Sequence, residues 1–187
     1  MTRPDVLFGF GDLAERMAAL VGPEAPAAPA ATDGPPTDEP TVYVHVGQLY
    51  TAAQPSLVST ILGSCVAVCL WDGTAGVGGL NHYLLPQPVS NGISSPRFGN
   101  VAIAQLIAQM TKLGGDPRRL KAKIFGGASV LDAFQAERRS LGMGNVDLAR
   151  RLMREAGIPI VAEDVGGTEG RRVLFHTGDG TAWVRKI

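Results

Sequence analysis

Two apolar runs, residues 56–71 and 77–85, flank the turn-rich stretch "WDGTAG". Runs of this kind bounded by turn residues read as strands, and two of them around a short turn fold back as an antiparallel hairpin. This hairpin constrains the chain more than any other feature, because it sets which residues face one another. A two-residue turn of type II′ takes Gly at its first central position, so the expected turn is Gly73-Thr74. Leu70 then faces Val77, Val68 faces Gly79, and Cys65 faces His82. Directly opposed residues share one face of the sheet, with Cβ atoms roughly 4.5–5.5 Å apart.

The first run is itself interrupted. In "TILGSCVAVCL" the strand breaks at Gly63-Ser64 and resumes after Cys65. A thiol beside an imidazole can ionise more readily, because a neighbouring imidazolium stabilises the thiolate. The Gly63-Ser64-Cys65 turn could present two backbone N–H groups to a developing oxyanion. Gly78 and Gly79, beside Asn81-His82, would leave room for a substrate. A thiolate, a base and an oxyanion hole are the requirements of acyl transfer through a thioester. Cys69 lies inside "VAVCL" and reads as core, as most free cysteines do. Four residues apart on one strand, the two Cα atoms would be roughly 13 Å apart, too far for a disulfide. His45 and His176 read as ordinary surface histidines. Cys-x3-Cys with one histidine lacks a fourth metal ligand, so no metal or cofactor is expected.

The rest of the chain divides by texture. Residues 1–22 hold Leu7, Phe8, Leu13, Met17, Leu20 and Val21, which could form one short amphipathic helix in a frayed tail or a docking segment. Residues 23–40, "PEAPAAPAATDGPPTDEP", read as a disordered Pro/Ala-rich linker. From residue 41 to 187 a single domain is expected. "TVYVHVGQLY" alternates as a half-buried strand with Val42, Val44 and Val46 on one face. Asn100 is the expected cap of a helix ending at Gly114-Gly115, and Asn145 that of a second ending at Gly157. "LKAKIF" and "IPIVAED" read as strands. "RRVLFH" and "TAWVRKI" read as a hairpin across "TGDG". The glycine turns "FGGAS" and "VGGTEGRR" lack the lysine of a P-loop and read as tight turns. Many strands with two or three helices, not strictly alternating, give an α+β fold.

Seventeen Lys and Arg balance seventeen Asp and Glu. The chain therefore has no global basic field for nucleic acid or an anionic membrane. Asp5, Asp12 and Glu15 interrupt the apolar start, which excludes a signal peptide, and no run approaches the length of a membrane helix. A cytoplasmic protein is expected, with both thiols reduced.

"TILGSCVAVCLWD", "GGLNHYLLP", "AKIFGGASVL", "LGMGNVDLARRLMREAGIPIVAEDVGGTEGRRVLF" and "WVRKI" together resemble the chemoreceptor glutamine deamidase family, CheD. The resemblance covers roughly residues 41 to 187. It implies a layered α+β domain, with a mixed or antiparallel sheet and helices packed on one side, related to deamidase toxins of the cytotoxic-necrotizing-factor kind. The implied activity is hydrolysis of glutamine side-chain amides on methyl-accepting chemotaxis receptors, giving glutamate and ammonia. Cys65 matches the family's nucleophile and His82 its base. A threonine shortly before the cysteine completes the set; Thr60 is the candidate, with Ser59 as the alternative. Ser64 and Gly63 would support the oxyanion. In some bacteria the family also binds the phosphatase CheC, so a regulatory binding module is the alternative function.

Overall fold

The computed structural model describes residues 40–87, 94–129 and 135–187. The expected tail and linker lie outside the described residues, apart from Pro40. Among the described residues the elements run β1 (Thr41–Tyr43), β2 (Gln48–Ala52), β3 (Leu57–Leu62), β4 (Val66–Asp72), β5 (Val77–His82), α1 (Gly99–Lys112), β6 (Lys121–Gly126), α2 (Gln135–Glu155), β7 (Ile160–Val165), β8 (Arg171–His176) and β9 (Ala182–Lys186). They form a four-stranded sheet, β1-β3-β8-β9, and a five-stranded sheet, β2-β5-β4-β6-β7. The pairs β1–β3 and β6–β7 are parallel and the others antiparallel, so both sheets are mixed.

Alternation along β4 shows how the layers stack. Successive side chains of a strand point to opposite faces. Val66, Val68 and Leu70 pack with Ile103, Leu106 and Met110 of α1 and with Val146, Ala149 and Met153 of α2. Ala67, Cys69 and Trp71 pack the other way, against Val58 and Leu62 of β3 and Val173 and Phe175 of β8. All seven residues of β4 are buried because this strand has a layer on each side. The order of layers is helices, five-stranded sheet, four-stranded sheet. Each fully buried Leu or Ile in these two cores contributes about 2 kcal/mol of transfer free energy. The expected α+β class with helices on one side is observed.

Three local expectations are corrected. The strand expected over "TVYVHVGQLY" is two strands, one in each sheet. The chain crosses between sheets at Val44–Gly47, and Gly47 has φ +78°, a backbone form that a side chain resists. The run over residues 56–71 is likewise divided. β3 belongs to one sheet and β4 to the other, so the Gly63-Ser64 break is the crossing point. The β4–β5 connection is also longer than two residues. Asp72 pairs with Val77 and Leu70 with Gly79, leaving a four-residue loop, Gly73–Gly76. The buried Asp72 carboxylate shapes this loop by accepting from Thr74 N–H at 3.0 Å and Ala75 N–H at 3.2 Å. It also takes the Asp116 N–H and an ion pair from Arg119 at 2.9 Å. Desolvation pushes the Asp72 pKa up, but Arg119 and these N–H groups outweigh it, and the net shift is down.

The helix starts differ too. Phe98 is the residue before α1, with no side-chain cap, and Asn100 already lies in the first turn. Asn145 lies within α2 rather than at its start. Gly142 is needed in this helix: a β-carbon on it would come 2.5 Å from the Gly127 carbonyl oxygen, so the helix approaches the glycine turn backbone to backbone. The β8–β9 hairpin forms as expected, with His176 bonded to Asp179 at its tip.

Candidate active site

The two crossings, Val44–Gly47 and Gly63–Cys65, meet at the end of β5. Gly47 N–H donates to the His82 carbonyl at 2.7 Å. Val66, the residue after Cys65, exchanges both backbone hydrogen bonds with Tyr83, the residue after His82, at 3.0 and 3.1 Å. The observed register therefore places Cys65 opposite Leu84, not opposite His82. The slip is two residues, which preserves the face. Cys65 and His82 are diagonal neighbours on the same side, at a spacing of roughly 7 Å between backbones and less between side chains.

Thr60 reaches this point from the other sheet. Its hydroxyl donates to the Val44 carbonyl at 2.8 Å and lies 2.9 Å from His82 Nδ1. A hydroxyl has one proton, and Val44 receives it. Thr60 Oγ1 must then accept from Nδ1–H, which fixes the tautomer and leaves the lone pair on Nε2. His82 Nε2 is buried and has no hydrogen-bond partner among the described residues. An unpaired acceptor in a buried position is costly to folding and calls for an explanation. Ser59 points to the opposite face of β3 and meets none of this.

The carbonyls of the cysteine turn are all tied back to the scaffold. Gly63 O accepts Ala128 N–H at 2.8 Å and Cys65 O accepts Gly127 N–H at 2.9 Å. Ser64 O accepts Asn145 Nδ2 at 3.1 Å, and the same amide donates to Leu84 O at 2.9 Å. Among the described residues, no carbonyl accepts from the N–H of Ser64 or Cys65. The "FGGAS" turn commits its Gly127 and Ala128 N–H groups to this turn and its Ser129 N–H to the Gly167 carbonyl, so it is no phosphate cradle. Asn145 was read from sequence as a helix cap. It instead staples the cysteine turn and the end of the hairpin to α2, with Tyr83 O–H donating to its carbonyl at 2.7 Å. The buried Arg171 holds the next layer through the carbonyls of Gly126, Asp164 and Gly166 and an ion pair to Asp164.

Gly78 and Gly79 do not open space for a substrate. A β-carbon on Gly78 would overlap the Thr177 carbonyl, and one on Gly79 would come 2.5 Å from the Tyr50 carbonyl oxygen. Both glycines serve close packing of backbone on backbone. Cys69 is a buried free thiol in the core between the sheets, as expected. Among the described residues, no three His, Cys, Asp or Glu side chains gather as metal ligands would.

Burial sets the resting protonation state. Desolvation raises the Cys65 thiol pKa, only partly offset by its own backbone N–H. Desolvation also lowers His82; the Val44 carbonyl opposes this and the charge of His45 adds to it. Both shifts favour a neutral thiol beside a neutral imidazole, not the preformed ion pair expected from sequence. The sign gives a test. Alkylation of Cys65 by iodoacetamide in the Cys69→Ser background should climb with pH to a midpoint above the ordinary thiol value. A plateau already reached near neutral pH would instead reveal a resting thiolate.

Comparison with known proteins identifies the family. The family model for CheD, described as chemotactic sensory transduction, matches residues 84–186. The Probable chemoreceptor glutamine deamidase CheD 1 of Anaeromyxobacter dehalogenans is 51% identical over 162 residues, covering 86% of this chain and 94% of that protein. A match of that extent cannot avoid residues 60–82. The Probable chemoreceptor glutamine deamidase CheD of Sulfurimonas denitrificans is 42% identical, over 78% of this chain and 93% of its own length. Among solved structures, Bacillus licheniformis hypothetical protein YfiH aligns with a TM-score of 0.40 and 16% identity, over 62% of this chain and 49% of that one. The family model and the curated relatives agree, and the chain belongs to the CheD family.

Proposed function

We propose that this chain is a cytoplasmic protein-glutamine deamidase acting on chemoreceptors, with Cys65 as nucleophile and His82 as base. One observation carries the reading: the Thr60–His82 bond at 2.9 Å leaves Nε2 unpartnered on a histidine that shares a face of the sheet with Cys65. The relatives' names supply the substrate class. The two free thiols suit a reducing compartment.

The chemistry follows from these groups. A glutamine carboxamide enters beside Cys65. The thiol proton passes to His82 Nε2 as Sγ forms a bond to the amide carbon. The carbonyl oxygen takes the negative charge and accepts from the N–H groups of Ser64 and Cys65. Nε2–H then protonates the amide nitrogen, the C–N bond breaks and ammonia leaves. Water gives a proton to the freed Nε2, attacks the thioester, and releases glutamate while the thiol regains its proton. Thr60 Oγ1 steadies Nδ1–H throughout without adding a buried charge. A CheC-type phosphatase as a further partner rests on family resemblance. Wild-type regulation of such a phosphatase by Cys65→Ala protein would favour that binding role.

Mass spectrometry of receptor after incubation tests the enzyme reading. Wild-type protein should add about one dalton at particular glutamines. Thr60→Val, which removes the acceptor for Nδ1–H, should lower kcat by about 100-fold, within the usual range for misdirected general bases. Thr60→Ser should retain most of it. Equal rates for Val and Ser at position 60 would remove Thr60 from the mechanism. No mass gain with wild-type protein would overturn the function itself.

A further inference from the structure

The face of the four-stranded sheet turned away from the five-stranded one contains a groove of about 410 Å³ lined by Ser59, Leu174, Trp183, Arg172 and Arg185 among others. That volume is in the range of small-molecule sites. Register explains how the lining gathers. Ser59 pairs with Leu174 and Leu174 with Trp183, making one row across three strands. In the next row Arg172 is directly opposed to Arg185.

Two features of this groove have no folding rationale. The Ser59 hydroxyl is buried, the residue being 3% exposed, and has no hydrogen-bond partner. Arg172 and Arg185 sit face to face on neighbouring strands, where like charges destabilise a sheet, and neither has a carboxylate partner among the described residues. Residues 41–187 carry 15 Lys and Arg against 10 Asp and Glu, so this unit has positive charge to spare for an anion.

We propose that this groove binds a small phosphate monoester with a flat, apolar body, of nucleotide size, and that occupancy is transmitted to the catalytic face. One carboxylate saturates one guanidinium fork, whereas two opposed forks match a dianion with three terminal oxygens. Trp183 and Leu174 supply an aromatic and aliphatic wall for the body, and Ser59 Oγ the deep donor. Transmission follows from alternation along the strands. Ser59 adjoins Thr60, which holds His82. Arg172 adjoins Arg171, which holds the Gly126 turn under Cys65. The transmission clause rests on the deamidase reading above; the binding clause does not.

Calorimetric titration of the full chain with adenosine 5′-monophosphate tests binding. The expected Kd is on the order of 0.1 mM. It should weaken by about tenfold or more in Arg172→Gln/Arg185→Gln protein. Ser59→Ala should weaken binding while leaving the thermal midpoint unchanged or raised, since an orphaned hydroxyl contributes nothing to the fold. No saturable binding, wild-type affinity in the double variant, or equal affinity for inorganic phosphate would overturn the site. Tighter binding of a phosphotyrosine peptide than of the nucleotide would overturn the small-molecule assignment. Saturating nucleotide should change the wild-type deamidation rate by about fivefold and leave the double variant's own rate unmoved. Binding with no change in rate removes the transmission clause alone.

Discussion

Cys65→Ala protein should release ammonia from receptor at less than about one ten-thousandth of the wild-type rate, the scale seen when a covalent nucleophile is deleted. On the proposed mechanism no other group would form the acyl bond, and water attack on an amide held only by two N–H donors would be slow. The substitution should leave the fold intact, because Cys65 is only half-buried and its backbone, not its side chain, is what Gly127 holds. Cys65→Ser should be nearly as inactive, since a hydroxyl beside a neutral imidazole is a far weaker nucleophile than a thiol. Cys69→Ser supplies the contrast: it changes a core contact between the sheets and should affect stability rather than turnover. Residual activity of Cys65→Ala at a few per cent of wild type would remove Cys65 as nucleophile.

Gly126→Ala should be nearly as damaging, although Gly126 touches no substrate. Its φ is +112°, a region that side chains resist at a cost of about 1–3 kcal/mol. Its β-carbon would also overlap the Cys65 carbonyl oxygen, a backbone atom that cannot swing aside. Together these predict a loss of about 3 kcal/mol or more in denaturant unfolding, or a displaced cysteine turn with turnover falling at unchanged stability. Gly73→Ala is the control, because φ there is not positive and no heavy atom lies within 4 Å of the added carbon. Wild-type stability and activity in Gly126→Ala would show that the turn is not held as described.

The layers and most strands were legible because alternation and turn residues state them directly. The nearness of Cys65 and His82 was legible for a less secure reason. The turn was placed wrongly, but the error moved the register by two residues, and a shift of two keeps side chains on the same face. The shift came from Asp72, whose carboxylate builds a longer loop with help from Arg119, remote in sequence. The choice between Ser59 and Thr60 was not legible, because both faces of β3 carry apolar residues: Val58 and Leu62 on one, Leu57 and Ile61 on the other. Only the layer behind the strand decides which face looks inward. Asn145 was illegible for the same kind of reason. Its partners, Ser64 and Leu84, are far away along the chain, and an asparagine with Asp147 two residues on looks like a helix start.

Cys65 and His82 belong to the hairpin of the five-stranded sheet, whereas Thr60 belongs to the four-stranded one. The orientation of the imidazole is therefore a contact across the gap between two sheets, and it works as a gauge of how firmly they are seated. Mild urea that lets the sheets part by an ångström or so would free the ring from Thr60 while every strand kept its hydrogen bonds. Turnover should then fade at lower urea than the far-ultraviolet circular dichroism signal, and the enzyme would report the first loosening of its own sandwich.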